Sequence, residues 1–286
     1  MSSDGFPQAA AGLVPGPALL FCPADRPDRY GKAIAAADGV ILDLEDGVGA
    51  AAKDAARAAL LAHPQDPARV IVRVNAVGSP EFDADIAALC QTAYRLVMIP
   101  KCEGRPQLEA VAALGDWGVI ALVETPLGVL RAEEIAAAAN VLALFWGAED
   151  LIAAMRGRTS RHADGRYRAV ALHARSVTLL AATAHGKLAV DAIYAGIGDL
   201  DGLAAEAEDA AASGFARKAL IHPSHVPVVR AAFRAGDTQV AWARRVLDAA
   251  RAGEADGGAI RLDGQMIDAP LIRQAEAILA SVRNPA

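Results

Sequence analysis

Two apolar runs in this chain end in acids: "VIALVETPLGV" carries Glu124, and "VLALFWGAEDL" carries Glu149 and Asp150. Each has the length and the Val, Ile and Leu content of a strand buried on both faces. A buried charge is costly unless it is paired or bound to a metal. Other apolar runs also close on polar residues. Asp43, Glu45 and Asp46 end the second, Arg73 and Asn75 the third, Lys101 the fourth, Asp191 the seventh and His222 the eighth. Acids outnumber bases in this set. Two carboxylates from neighbouring strands, with few nitrogen donors nearby, suit a hard divalent cation such as Mg²⁺, whose shell water and substrate complete. The spacing equally allows Glu124 and Asp150 to pair with Arg73 or to cap the helices that follow. Zinc is disfavoured, because no His or Cys cluster accompanies the acids.

Rival chemistry exists at the same positions. Lys101 admits a Schiff-base reading, that of a metal-free aldolase, against the plainer reading of a surface lysine after a proline. His222 could serve as a base, although a histidine satisfied by backbone is the plainer expectation. Cys22 and Cys102 read as packing thiols and Trp146 as core.

The elements that must position these residues alternate regularly. Strand-length runs fall at 18–24, 39–46, 69–75, 95–101, 118–125, 141–150, 188–196 and 218–224, separated by Ala-rich stretches of helical period. "DGLAAEAEDAAASGF" starts at an Asp N-cap, Asp201, and closes on Gly214. Eight such units predict a TIM barrel over residues 17–232, with the chemistry at the C-terminal rim of the strands. An open doubly wound sheet is the runner-up, but no GxGxxG follows the first strand. The stretch "LIAAMRGRTSRHADGRYRAVALHARS" is too long for a simple connection and predicts a loop excursion. Residues 1–16 read as a short mobile tail. Residues 233–286 read as a helical extension: one amphipathic helix, a linker around "GEADGG", then a turn and a final helix.

The 286 residues are 54% hydrophobic and 22% charged, with a formal net charge of −6. That balance argues against nucleic-acid binding, which favours a basic face. Three cysteines in no CxxC spacing suit a reducing compartment. The N-terminus lacks a basic start, and no apolar run approaches the ~18–20 residues of a membrane span. The expectation is a soluble cytoplasmic protein.

The ordered motifs "LLFCPADRPDRYGKA", "VILDLEDGV", "VRVN", "VMIPK", "ALVETPLGV", "WGAEDL", "GFARKALIHPSHV" and "GQMIDAPLI" resemble the citrate lyase β-subunit family of the HpcH/HpaI aldolase superfamily, its stand-alone β-like members most of all. Malyl-CoA and citramalyl-CoA lyases belong to that family, and the resemblance runs from about residue 16 to the C-terminus. It implies that Glu124 and Asp150 hold Mg²⁺ and that Arg73 binds the keto-acid region of the substrate. It further implies that Phe21, Arg26 and Lys32 contact coenzyme A. Asp268 would be a catalytic residue on a C-terminal lid, which reaches a neighbouring subunit's site in a homotrimer. The sequence departs from the family at Pro17-Ala18, where an Arg-Ser pair is usual. Arg217 replaces a glycine near the predicted rim, and His225 replaces a glutamine; both bear on thioester handling.

The implied activity is reversible Mg²⁺-dependent cleavage of a 3-hydroxyacyl-CoA thioester (citramalyl-CoA, malyl-CoA or a 3-hydroxy-3-methylglutaryl-CoA-like compound) to acetyl-CoA and a keto acid. Asp46 and Glu45 would orient water around the ion. Three alternatives remain open: a citryl-thioester lyase subunit of a larger complex, a malate synthase-like thioester hydrolase, and a non-catalytic protein that binds keto acids or CoA.

Overall fold

All eight predicted runs form strands, each beginning within a residue of its expected start. In the computed structural model, which describes residues 12–253 and 260–283, they are β1 (Ala18–Pro23), β2 (Gly39–Asp43), β3 (Val70–Arg73), β4 (Leu96–Ile99), β5 (Gly118–Val123), β6 (Val141–Trp146), β7 (Leu188–Asp191) and β8 (Arg217–Leu220). They are parallel and close in sequence order, β8 returning to β1 through Leu19↔Ala219 and Leu20↔Leu220. This is a (β/α)8 barrel, and closure removes the open-sheet alternative. The predicted runs overshoot the strands at their C-terminal ends, because the polar residues there belong to the rim loops.

The connecting helices are α1 (Pro27–Ala36), α2 (Lys53–Ala62), α3 (Phe82–Leu89), α4 (Arg105–Leu114), α5 (Pro126–Leu130), α6 (Ala132–Ala136), α7 (Ala148–Ala154), α8 (Ala169–Ala184), α9 (Leu200–Ser213) and α10 (His225–Phe233). The long stretch after β6 becomes α7, an irregular loop closed by an Arg161↔Tyr167 bridge, and α8. Inside the barrel, Leu19, Ile41, Ile71, Met98, Ile120, Leu122, Phe145 and Val190 form a buried cluster, each large aliphatic contributing about 1.5–3 kcal/mol by leaving water.

Three expectations change at this level. The N-cap of α9 is Asp199, two residues earlier than Asp201, and its carboxylate accepts from the Gly202 N–H at 3.0 Å. Val14 does not behave as loose tail; it is buried in the barrel cluster, while residues 1–11 lie outside the described residues. Arg217 is the first residue of β8, away from the C-terminal rim. Its guanidinium donates to the carbonyls of Val14 and Pro15, fastening the segment that precedes β1.

The chain divides into two units, Met1–Val229 and Arg230–Ala286. The second contains α11 (Asp237–Gly253), β9 (Ile260–Leu262), β10 (Gln265–Ile267) and α12 (Ala269–Arg283). Ala243, Val246, Ile267 and Ala275 form its core. The two short strands are an antiparallel hairpin where the sequence reading had only a turn. Its connection, Asp263-Gly264, has φ 51° and 81°, the left-handed pair that a two-residue hairpin requires. The expected "GEADGG" linker falls largely on residues outside those described. Among the described residues, no helix is long and apolar enough to cross a membrane.

Candidate active site

The C-terminal ends of the strands surround a cavity of about 880 Å³. Its lining includes Asp43, Asp46, Arg73, Glu124, Glu149 and Asp150, together with an apolar wall of Phe21, Leu122, Phe145, Trp146 and Ile193. The barrel therefore brings residues from β2, β3, β5 and β6 to one opening.

Glu124 follows β5 and is buried. It neither pairs with Arg73 nor caps a helix: Thr125 caps α5 through the Gly128 N–H. Its Oε1 accepts from the Lys101 main-chain N–H at 3.0 Å. Burial, then the charges of Asp150 and Glu45, push its pKa up to about 8. A Cβ on Gly147 would stand 2.8 Å from Glu124 Oε2, so the glycine of "WGAED" leaves this carboxylate room. Asp150 lies in the first turn of α7, partly exposed.

Arg73, at the end of β3, is committed to acids on β2 and beyond. Its Nε and Nη2 each lie 2.7 Å from the two oxygens of Asp43, and Nη1 lies 3.1 Å from Glu45 Oε2. That fork against a carboxylate fixes the guanidinium plane, and Phe21 packs 4.9 Å beneath it. Asp43 is itself held by the N–H groups of Glu45 and Gly47. Sequence reading placed Asp43 at the rim without giving it this role; the two residues prove to be direct register partners on the paired strands β2 and β3. Burial raises the pKa of Glu45, which Arg73 and Lys101 oppose. Its Oε2 is buried without a hydrogen bond, despite the ion-pair distance to Arg73.

Lys101 corrects both sequence readings. Its ammonium donates to Glu45 Oε1 at 2.5 Å and lies 3.8 Å from Asp46 and 3.9 Å from Asp150. Burial works against this charge, but the bond to Glu45 and the neighbouring acids outweigh it, so the pKa stands above that of an ordinary lysine. A Schiff-base amine needs the opposite shift. Burial pushes the Cys22 thiol up to about 11 and that of Cys102 up to about 12, which suits packing. His222 lines the cavity, its Nδ1 bonded to Ser224. Trp146 is fully buried and donates to Asp191 at 2.8 Å.

Phe21 and Lys32 line the cavity; Arg26 lies outside the lining, exposed and paired with Asp28 at 3.0 Å. Asp268 belongs to the second unit. It is exposed and immediately precedes α12, its Oδ1 3.4 Å from the Leu271 N–H.

The donors suit a hard cation. Five carboxylates, Asp43, Glu45, Asp46, Glu124 and Asp150, face two cations, Arg73 and Lys101. Glu124 carries a buried oxygen set with no ammonium or guanidinium of the described residues bonded to it. No group of three or more His, Cys, Asp or Glu residues among those described forms a ready-made metal cage. Two carboxylates, with the remaining positions left for water and substrate, match the way Mg²⁺ binds.

A family model for HpcH/HpaI aldolase/citrate lyase matches residues 18–223. The chain belongs to this family. Membership places it among the lyases. It is 54% identical to a citrate lyase subunit beta-like protein of Mycobacterium tuberculosis, over 92% of this chain and 94% of the relative. It is 34% identical to a (3S)-malyl-CoA thioesterase of Cereibacter sphaeroides, over 87% and 88%. Among solved structures, M. tuberculosis CitE in complex with magnesium, acetoacetate and coenzyme A superposes with a TM-score of 0.89. The two share 52% identity over 94% of this chain and 99% of that one. A citrate lyase beta subunit of M. tuberculosis complexed with oxaloacetate and magnesium gives 0.75, at 56% identity over 77% and 97%.

Proposed function

We propose that this protein is a Mg²⁺-dependent lyase that reversibly cleaves the C2–C3 bond of a 3-hydroxyacyl-CoA thioester, yielding acetyl-CoA and a keto acid. The observation that carries this reading is the buried Glu124, which among the described residues has no ammonium or guanidinium hydrogen-bonded to its side chain and shares the cavity with Asp150. Relatives solved with magnesium and a keto acid, one of them with coenzyme A as well, support it.

Glu124 and Asp150 would hold the ion. Bound there, Mg²⁺ would supply Lewis acidity, lowering the pKa of the substrate hydroxyl and favouring the ketone. As the hydroxyl proton passes to solvent water in the cavity, the C2–C3 electron pair passes to the thioester, forming an enolate. Arg73, fixed by Asp43, stabilises that developing charge with little reorganisation. Phe21, Phe145 and Leu122 form an apolar wall, which keeps the surroundings weakly polar and strengthens that interaction. Asp268 would deliver the proton to C2 of the enolate, acting from the C-terminal unit of a neighbouring subunit in a homotrimer. Phe21, Arg26 and Lys32 would hold coenzyme A.

A second reading, hydrolysis of the thioester after condensation, is favoured by the likeness to a malyl-CoA thioesterase. One assay separates them. The purified chain with Mg²⁺ is given citramalyl-CoA, malyl-CoA and 3-hydroxy-3-methylglutaryl-CoA, while pyruvate, glyoxylate, acetoacetate and free thiol are followed. A keto acid released together with acetyl-CoA supports the lyase; free CoA with the hydroxy acid intact overturns it.

A further inference from the structure

Lys101 lies within reach of both proposed metal carboxylates, yet the aldol step described above leaves it without a task. It is a non-glycine residue in the left-handed region, at φ 50°, a conformation such residues rarely adopt. This turn, just past β4, aims its main-chain N–H at Glu124 Oε1, 3.0 Å away. The same turn sends the side chain the other way. The ammonium bonds Glu45 at 2.5 Å and stands 3.8 Å from Asp46 and 3.9 Å from Asp150. One residue therefore orients one metal carboxylate through its backbone and neutralises the surroundings of the other through its charge. Lys101 is not itself among the residues lining the cavity, but Asp46 and Asp150 beside its ammonium are. Arg73 does not take this place, because its Nε and Nη2 are held by Asp43 while its Nη1 lies 3.1 Å from Glu45.

We propose that Lys101 is a positioning residue that acts as the internal counter-cation of the metal site. It gathers Glu45, Asp46 and Asp150 before the divalent ion binds, and it weakens the hold on that ion by repulsion, so that the ion stays exchangeable. This rests on the reading of Glu124 and Asp150 as the metal carboxylates. Even at the dielectric of water, a monovalent and a divalent cation roughly 6 Å apart repel enough to change a binding constant about tenfold. The hydrogen bond from the main-chain N–H to Glu124 survives any side-chain substitution, so the charge can be tested separately from the backbone.

The experiment is calorimetric titration of Mg²⁺, and separately Mn²⁺, into chelator-stripped wild type, K101M, K101Q and K101R. Thermal denaturation of each is recorded with and without the ion. The neutral variants are expected to bind about tenfold more tightly than wild type, and K101R to stay within about twofold of it. The neutral variants should also melt lower than wild type without metal and gain more on adding it. Unchanged or weaker binding by both K101M and K101Q, beside measurable binding by wild type, overturns the role given to Lys101 alone. Absence of binding by wild type and every variant overturns the metal-site reading beneath it.

Discussion

Replacing Glu124 by glutamine should stabilise the metal-free protein while abolishing its use of Mg²⁺. Glutamine keeps the shape and the acceptor for the Lys101 N–H but carries no charge into the buried position. The wild-type carboxyl climbs from 4.5 to about 8 on folding, driven first by burial and then by Asp150 and Glu45. A raised acid favours the folded state only while protonated. The stabilising contribution is therefore complete below pH 4.5 and is lost as pH rises toward 8, at about 1.4 kcal/mol per pH unit. Near pH 7.5 the glutamine variant should recover of the order of 2–4 kcal/mol, comparable with a sizeable part of a domain's net stability. Urea denaturation in chelator at pH 5, 6, 7 and 8 measures this directly. The stability gap between E124Q and wild type should widen steadily across that series, and added Mg²⁺ should narrow it by stabilising wild type alone. A gap that is flat with pH, or an E124Q protein less stable than wild type at pH 8 in chelator, would refute the claim that this carboxylate is held at electrostatic cost.

Further outcomes follow from the same geometry. D43N removes the charged partner of the buried Arg73 fork; denaturation should register a loss of about 3 kcal/mol, and kcat should fall with a smaller effect on KM. D268A should lower the cleavage rate about 10²–10⁴-fold, while loss of the α12 cap costs only about 1 kcal/mol; a variant retaining most of its rate removes Asp268 from the chemistry. R217A should destabilise the barrel by about 1–3 kcal/mol, since it leaves the carbonyls of Val14 and Pro15 without these bonds. Its kcat/KM should stay within about twofold of wild type, because Arg217 begins β8 away from the strand ends that carry the site.

The eight strands and their order were legible because each is a short Val, Ile and Leu run bounded by helical Ala-rich stretches, a local signal that needs no knowledge of neighbours. The acids at the strand ends were legible for the same reason, and so were Gly214 as a helix stop and the excursion after β6. The Asp263-Gly264 pair is a hairpin signature, but the sequence reading took the region only as a turn. What local pattern could not settle was which charge meets which. Arg73 takes Asp43, thirty positions away, and Lys101 takes Glu45, fifty-six positions away; among the described residues no cation is bonded to the side chain of Glu124. Such partners are chosen by barrel closure, which decides which strand ends are adjacent, and by burial, which makes an unmatched carboxylate expensive. Composition and periodicity determined the barrel and supplied the acids, but only the tertiary arrangement buried Glu124 with no cation bonded to its side chain among the described residues, the feature on which the proposed ion site rests.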